Sequence, residues 1–281
     1  MGMAKFDLHL HSNNSDGSVT VKELVGAVIK SGIKIFALTD HDTVAGIEDI
    51  SGYIPKDIKF IKGIELTCKT GDIKSHILGY GINPDNTELV GLINVGKKLR
   101  RQKLETRINY LKDVWGIEFT KEELDWLYSR KSVVKTHLAN ILVKRGLADN
   151  NVEAMKKFLD GCKTGNTRFD GEEAIRVIIS AGGIPVWAHP LGGEGEEHLT
   201  ENDFIPKLEK MIEYGIQGLE CFYSRYSKKE ESFLTECAAK YNLLITGGSD
   251  WHGANKTVDI GSLNVEGEEV DSDKITILQR L

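Results

Sequence analysis

The segment Phe6-Asp7-Leu8-His9-Leu10-His11 alternates apolar and polar side chains, the period of a β-strand. Phe6, Leu8 and Leu10 share one face of such a strand, and Asp7, His9 and His11 the other. Burying two imidazoles and a carboxylate on one face costs free energy unless something compensates. A metal ion does so. Histidine is the commonest metal ligand, and a His-x-His pair on a strand aims both rings at one point. Taken alone, the pair would equally suit the polar face of a surface strand.

The same chemistry recurs along the chain. Leu38-Thr39-Asp40-His41-Asp42-Thr43 stands where an apolar run ends, and Glu65 follows Phe60-Ile61-Lys62-Gly63-Ile64. His76 begins Ser75-His76-Ile77-Leu78-Gly79-Tyr80, and His189 closes Pro185-Val186-Trp187-Ala188-His189-Pro190. Asp250 and His252 sit two apart in Thr246-Gly247-Gly248-Ser249-Asp250-Trp251-His252-Gly253, where glycines allow close backbone approach. The chain has eight histidines. Histidines 9, 11, 41, 76, 189 and 252 all fall at expected strand ends beside Asp or Glu, a concentration that points to a multinuclear metal site. His198, in a polar Gly- and Glu-rich loop, reads as solvated.

These residues need a scaffold that brings strand ends together. Short β-branched runs at 33–39, 58–66, 75–81, 183–188, 216–222 and 243–246 alternate with amphipathic stretches at 21–31, 171–181, 204–214 and 228–241. Repeated β-then-α order predicts a parallel sheet, closed or open, with its active site at the C-terminal ends of the strands. Between Pro84 and about Gly165 the pattern turns helical, at 88–114, 121–128, 136–144 and 152–159. A structureless loop of that length is implausible, so residues 85–165 read as a small helical domain inserted into a barrel domain formed by 4–84 and 166–281. Its first helix carries Lys97, Lys98, Arg100, Arg101, Lys103, Arg107 and Lys112, either as a solvated face or as a lid toward an anionic substrate.

Composition narrows the function classes. The 281 residues, 40% hydrophobic and 28% charged, can bury a large core. A net charge of −6 argues against duplex nucleic acid as a partner, which calls for a basic footprint. No apolar run is long enough to span a bilayer, and no signal peptide is evident. Cys68, Cys162, Cys221 and Cys237 lack metal-site spacing and read as reduced thiols of a cytoplasmic protein.

His9-Leu10-His11, Asp16-Gly17-Ser18, Thr39-Asp40-His41-Asp42, Gly63-Ile64-Glu65, Ala188-His189-Pro190 and Gly248-Ser249-Asp250-Trp251-His252 together resemble the motifs of the PHP (polymerase and histidinol phosphatase) superfamily. Length and the helical insert are most similar to its small phosphoesterases, which include nucleoside 3′,5′-bisphosphate and AMP phosphatases. The resemblance implies an α/β fold, a distorted (β/α)7 barrel with an inserted all-helical domain and a trinuclear centre at its mouth. It implies His9, His11, Glu65 and Asp250 around a first metal, Glu65 with His76 and His189 around a second, and Asp16, His41 and His252 around a third. Nitrogen and oxygen ligands without thiolate suit three divalent ions of manganese, zinc or iron. Asp7 and Asp40 would orient imidazoles rather than bind metal.

The expected reaction follows from charge. A phosphate monoester is a dianion that repels anionic nucleophiles. Cations neutralise its oxygens and lower the pKa of a water that attacks it. Asp16, His41, Glu65, Asp250 and His252 would surround that reaction. Lys135 and His137, opening a helix of the insert, and Arg225 are candidate phosphate contacts; the family leads one to expect arginine where Lys135 stands. The expected substrate is a small phosphorylated molecule, a nucleotide or nucleoside bisphosphate. A short single-stranded oligonucleotide trimmed by an exonuclease, or histidinol phosphate, are the alternatives.

Overall fold

The computed structural model describes residues 5–165, 168–194 and 196–281. Strand β1 (Phe6–Leu10) pairs in parallel with β2 (Ile35–Leu38), and β2 with β3 (Lys59–Thr70). Strand β4 (Ile73–Tyr80) is antiparallel to both β3 and β5 (Ile184–Ala188). Strands β6 (Gly218–Tyr223) and β7 (Leu244–Gly248) then continue in parallel, in the order β1 to β7. A bridge between Leu10 and Trp251, with the His11 N–H donating to the Trp251 carbonyl at 3.0 Å, curls the sheet into a nearly closed barrel.

The antiparallel β4 departs from the expected all-parallel sheet for a local reason. Only Gly71 and Asp72 separate β3 from β4, and a parallel crossover needs a dozen residues or more. Gly71, at φ 56°, makes the tight return. The hairpin also lengthens β3 to Thr70, so Glu65 lies inside a strand rather than at its end.

Five helices cover the barrel: α1 (Val21–Lys30), α2 (Ala45–Ile50), α7 (Gly171–Ser180), α8 (Glu201–Glu213) and α9 (Lys228–Lys240). Thr20 with Glu23 and Ser227 with Glu230 form capping boxes at α1 and α9. Leu8, Ile64, Leu66, Ile77, Leu78, Val186 and Leu219 are fully buried between these layers. Each such side chain contributes roughly 1.5–3 kcal/mol by leaving water. Gly248 lets the two sheet edges meet, since a Cβ there would lie 2.3 Å from that of His9.

The segment between β4 and α7 is helical: α3 (Thr87–Trp115), α4 (Lys121–Ser129), α5 (Lys135–Lys144) and α6 (Asn151–Ala154). Helix α6 runs into a π-helical turn, Met155–Leu159, where an uninterrupted α-helix was expected. Leu104, Leu111, Leu127, Leu138, Leu142 and Phe158 form a core separate from that of the barrel. The first turns of α3 belong to the barrel core through Leu89, Leu92 and Ile93. The two cores therefore part within α3, beyond Gly96, whose missing side chain admits the Phe169 ring.

Candidate metal centre

His9 and His11 leave the C-terminal end of β1, and His41 follows β2 in a bridge with Glu65 of β3. His76 lies on β4 opposite Thr67, while His189 and Asp250 follow β5 and β7. Asp16 comes from a turn that folds back over these ends. Asp40 holds that turn, accepting from the Ser12 N–H (2.8 Å), the Ser12 hydroxyl (2.6 Å) and the Ser15 hydroxyl (2.5 Å). The backbone is strained at this rim: Asp42, His189 and Asp250 adopt φ of 52°, 28° and 57°. Non-glycine residues keep such angles where the surroundings over-determine them, commonly at functional sites.

Glu65 is the hub. Its Oε2 lies 3.2 Å from His9 Nε2, 3.2 Å from His11 Nε2 and 3.1 Å from His41 Nδ1, and its Oε1 lies 3.0 Å from His76 Nδ1 and 3.4 Å from His189 Nε2. Asp250 Oδ1 stands 3.3 Å from His11 Nε2, and Asp16 Oδ1 3.0 Å from His252 Nε2. Three overlapping groups each keep all their donor atoms within 4.8 Å: His9, His11, Glu65 and Asp250; His11, Asp16, His41 and His252; and His41, Glu65 and His76. The first matches the set expected from the motifs. The others differ in detail, with His11 joining Asp16, and with His41 standing beside His76 while His189 reaches the same Glu65 oxygen.

The donor set fits divalent metal. His9 Nε2, both ring nitrogens of His11, His41 Nδ1, His76 Nδ1, His252 Nε2, Asp16 Oδ1 and Glu65 Oε2 are buried without a hydrogen-bond partner. Buried polar atoms are rarely left so, and here they converge on one region. A cation satisfies imidazole and carboxylate at once.

Titration behaviour reflects the same crowding. Burial works against ionising Glu65, Asp16 and Asp250, yet the facing imidazoles, and Lys256 for Asp250, hold all three carboxyls well below their usual range. Burial also disfavours charge on His11 and His189. Asp250 and Glu65 nevertheless push His11 up to about 9, and Glu196 and Glu65 push His189 up to about 10. His41 goes well below its ordinary value because burial outweighs its carboxylates.

A further carboxylate supports the cluster from below. Glu220, fully buried on β6, meets His9 Nδ1 at 2.9 Å through Oε1 and accepts the His189 N–H at 2.7 Å through Oε2. It turns His9 Nε2 toward the cluster and tethers two candidate ligands to each other. A lone acid inside Gly218-Leu219-Glu220-Cys221-Phe222-Tyr223 was the sequence signal for it. The orienting role expected of Asp7 and Asp40 goes elsewhere. Asp7 accepts from the Ser249 N–H, the Ser249 hydroxyl, the Gly261 N–H and the His9 backbone N–H, and Asp40 from the Ser12–Ser15 turn, so neither hydrogen-bonds an imidazole.

The candidate phosphate contacts are spread out. Lys135 pairs with Asp160, and the exposed Arg225 with Glu194, so each would have to exchange a carboxylate for phosphate. His137 is buried, accepts the Val134 N–H at 3.0 Å through Nδ1, and is pushed down to about 4 by burial. The basic face of α3 divides. Lys97, Lys98, Arg101 and Lys112 are exposed, while Arg100, Lys103 and Arg107 are turned inward and half-buried. Arg100 pairs with Asp42 beside His41, and Arg130 donates to the Asn13 carbonyl of the Asp16 turn. The Nε atoms of Arg107 and Arg130 and the Ser132 hydroxyl are buried without partners.

Residues 7–168 match the family described as the PHP domain. The chain belongs to that family. It is 28% identical over 261 residues to a 5′-3′ exoribonuclease of Haemophilus influenzae, covering 92% of this chain and 93% of the relative. It is also 28% identical to a 3′,5′-nucleoside bisphosphate phosphatase of Chromobacterium violaceum, covering 89% and 88%. A solved structure from Bifidobacterium adolescentis, 24% identical, superposes with a TM-score of 0.84 over 98% of this chain and 96% of its own. As a PHP protein with this donor cluster, the chain is a metal-dependent phosphoesterase, a hydrolase. No helix among the described residues is long and apolar enough to cross a membrane.

Proposed function

We propose that this PHP protein hydrolyses a phosphate monoester on a nucleotide or nucleoside bisphosphate, in a site that holds three divalent ions of manganese, zinc or iron. The convergence of unpartnered imidazole and carboxylate atoms carries the reading. His9, His11, Asp16, His41, Glu65, His76, His189, Asp250 and His252 are the ligands. Divalent ions supply Lewis acidity toward the phosphoryl oxygens and lower the pKa of water. The residues do the rest: Glu65 and Asp250 hold the imidazoles in register, Asp16 and His252 close the side toward the insert, and Glu220 fixes the His9 ring. The Nε atoms of Arg130, beside His137, and of Arg107, together with the Ser132 hydroxyl, lack partners and are donors for a second phosphate group. Lys135 and Arg225 remain contacts available to a substrate that displaces their carboxylates.

Exonucleolytic trimming of short single strands is the second reading, favoured by the aromatics of the insert. Trp126 and Tyr128 are exposed, with the Arg130 guanidinium 5.3 Å from the Trp126 ring centre and that of Arg101 3.6 Å from Tyr128. Such pairs offer stacking for bases. Manganese-loaded protein tests both: inorganic phosphate released from nucleotides, nucleoside bisphosphates and histidinol phosphate, against mononucleotides released from 5′-phosphorylated oligonucleotides. Preference for the bisphosphate supports the first reading, and preference for the oligonucleotide replaces it with the second.

A further inference from the structure

Beyond the donor cluster, one cation stands in its cavity. His41, His76, His189 and Asp250 line that cavity together with Glu194 and Glu196, and Lys256 is the one lysine or arginine among its described lining residues. The local chain is built to put it there. After β7, the turn Gly253–Asn255 is fastened at two points: the Ala254 N–H donates to Ser18 Oγ at 2.7 Å, and Asn255 Nδ2 to the Asp16 carbonyl at 2.7 Å. The extended backbone of Lys256 then carries its stem over the site, where Nζ bonds Asp250 Oδ2. The two oxygens of Asp250 thus divide their work. Oδ1 faces His9 and His11, while Oδ2 faces Lys256 and the Tyr223 hydroxyl at 3.2 Å.

We propose that the Lys256 ammonium donates to a non-bridging oxygen of the phosphate bound over the donor cluster, and so is a catalytic residue of this chain. The proposal rests on the phosphoesterase reading above. In that cavity Glu194 is paired with Arg225 and Glu196 lies 3.4 Å from His189, which leaves Lys256 as the lysine or arginine among the described lining residues whose ammonium stands at the donor cluster. Arg100 is engaged with Asp42 and Arg130 with the Asn13 carbonyl. The four-carbon stem lets the ammonium reach from Asp250 to a phosphate without moving the backbone, and its side chain is 22% exposed, on the open side of the pair.

The test uses the metal-loaded full chain, Lys256→Gln and Lys256→Arg. Three quantities are read: bound metal by elemental analysis, affinity for inorganic phosphate by calorimetry, and kcat/KM on a monoester. Lys256→Gln should keep its metal, bind inorganic phosphate about ten- to a hundredfold more weakly and lose at least as much in kcat/KM, as expected for a lost charge-assisted hydrogen bond. Lys256→Arg should stay within about tenfold of the wild type in both. Unchanged phosphate affinity in Lys256→Gln overturns the proposal. So does loss of metal with phosphate affinity intact in the fraction that retains it, which would make Lys256 only a counter-ion for Asp250. A wild-type protein that binds phosphate but hydrolyses no monoester overturns the phosphatase reading and leaves the phosphate contact measurable by calorimetry.

Discussion

At the barrel mouth, imidazole and carboxylate atoms are buried, crowded and unpaired, whereas in the inserted segment Arg100, Lys135 and Arg130 each have a carboxylate or carbonyl of their own. The mouth is over-determined. Strand ends, a strained rim and the Glu220 tether fix each donor before any ligand arrives. The insert has its own core and a basic face on α3 split between water and the interior. On the function proposed above, a site divided in this way would keep its chemistry on the strand ends and its substrate contacts on the inserted helices.

The sharpest way to break the comparison is at the mouth. Asp250→Ala and His9→Ala should each remove bound metal and lower kcat by at least about a thousandfold while the protein stays folded. Elemental analysis, turnover and circular dichroism check this together. A variant that keeps its metal and turns over normally would move the centre elsewhere. Glu220→Gln should weaken metal affinity about ten- to a hundredfold, since the His9 ring loses its anionic partner. A chelator titration measures it, and unchanged affinity would make Glu220 a packing residue.

On the insert the effects should be smaller and confined to binding. Arg130→Ala should raise KM about tenfold or more with metal content unchanged, and Lys135→Ala should do less, because Asp160 already neutralises its ammonium. Steady-state kinetics of the pair rank the two residues, and the reverse ranking would restore Lys135 as the main phosphate contact. A change of another kind concerns pH. His137 falls from its ordinary 6.5 to about 4 in the fold. The unfolded chain therefore binds the extra proton between those values. Stability should be fully present above pH 6.5 and lost as pH drops toward 4, by about 3 kcal/mol in total. Thermal melts of wild type and His137→Gln across that window should show a shallower slope in the variant, the remainder coming from His41 and the carboxyls of the cluster.

What the sequence revealed follows the same division. The nine candidate ligands were legible because histidines beside acids at successive strand ends have few other uses; the structure sets His9, His11, His41, His76 and His189 around Glu65, with Asp250 beside His11 and Asp16 beside His252. The reversal at β4 was hidden, since periodicity reports faces and not direction, although the two-residue Gly71-Asp72 connection carried the signal. The role of Glu220 is not legible in the sequence, because a single acid in an apolar strand is conspicuous only beside the imidazole it meets. Arg107, Arg130 and Ser132 could not be chosen from the many polar residues of the insert, as burial without a partner is a property of three dimensions.

The central claim, a trinuclear centre built from nine side chains of one chain, is tested most directly by counting metal. Protein purified without chelator and dialysed against Mn²⁺ should hold three ions per chain, and the wild type should lose them and its phosphatase activity together on chelation. One ion or none per chain, with activity that survives chelator, would contradict the account.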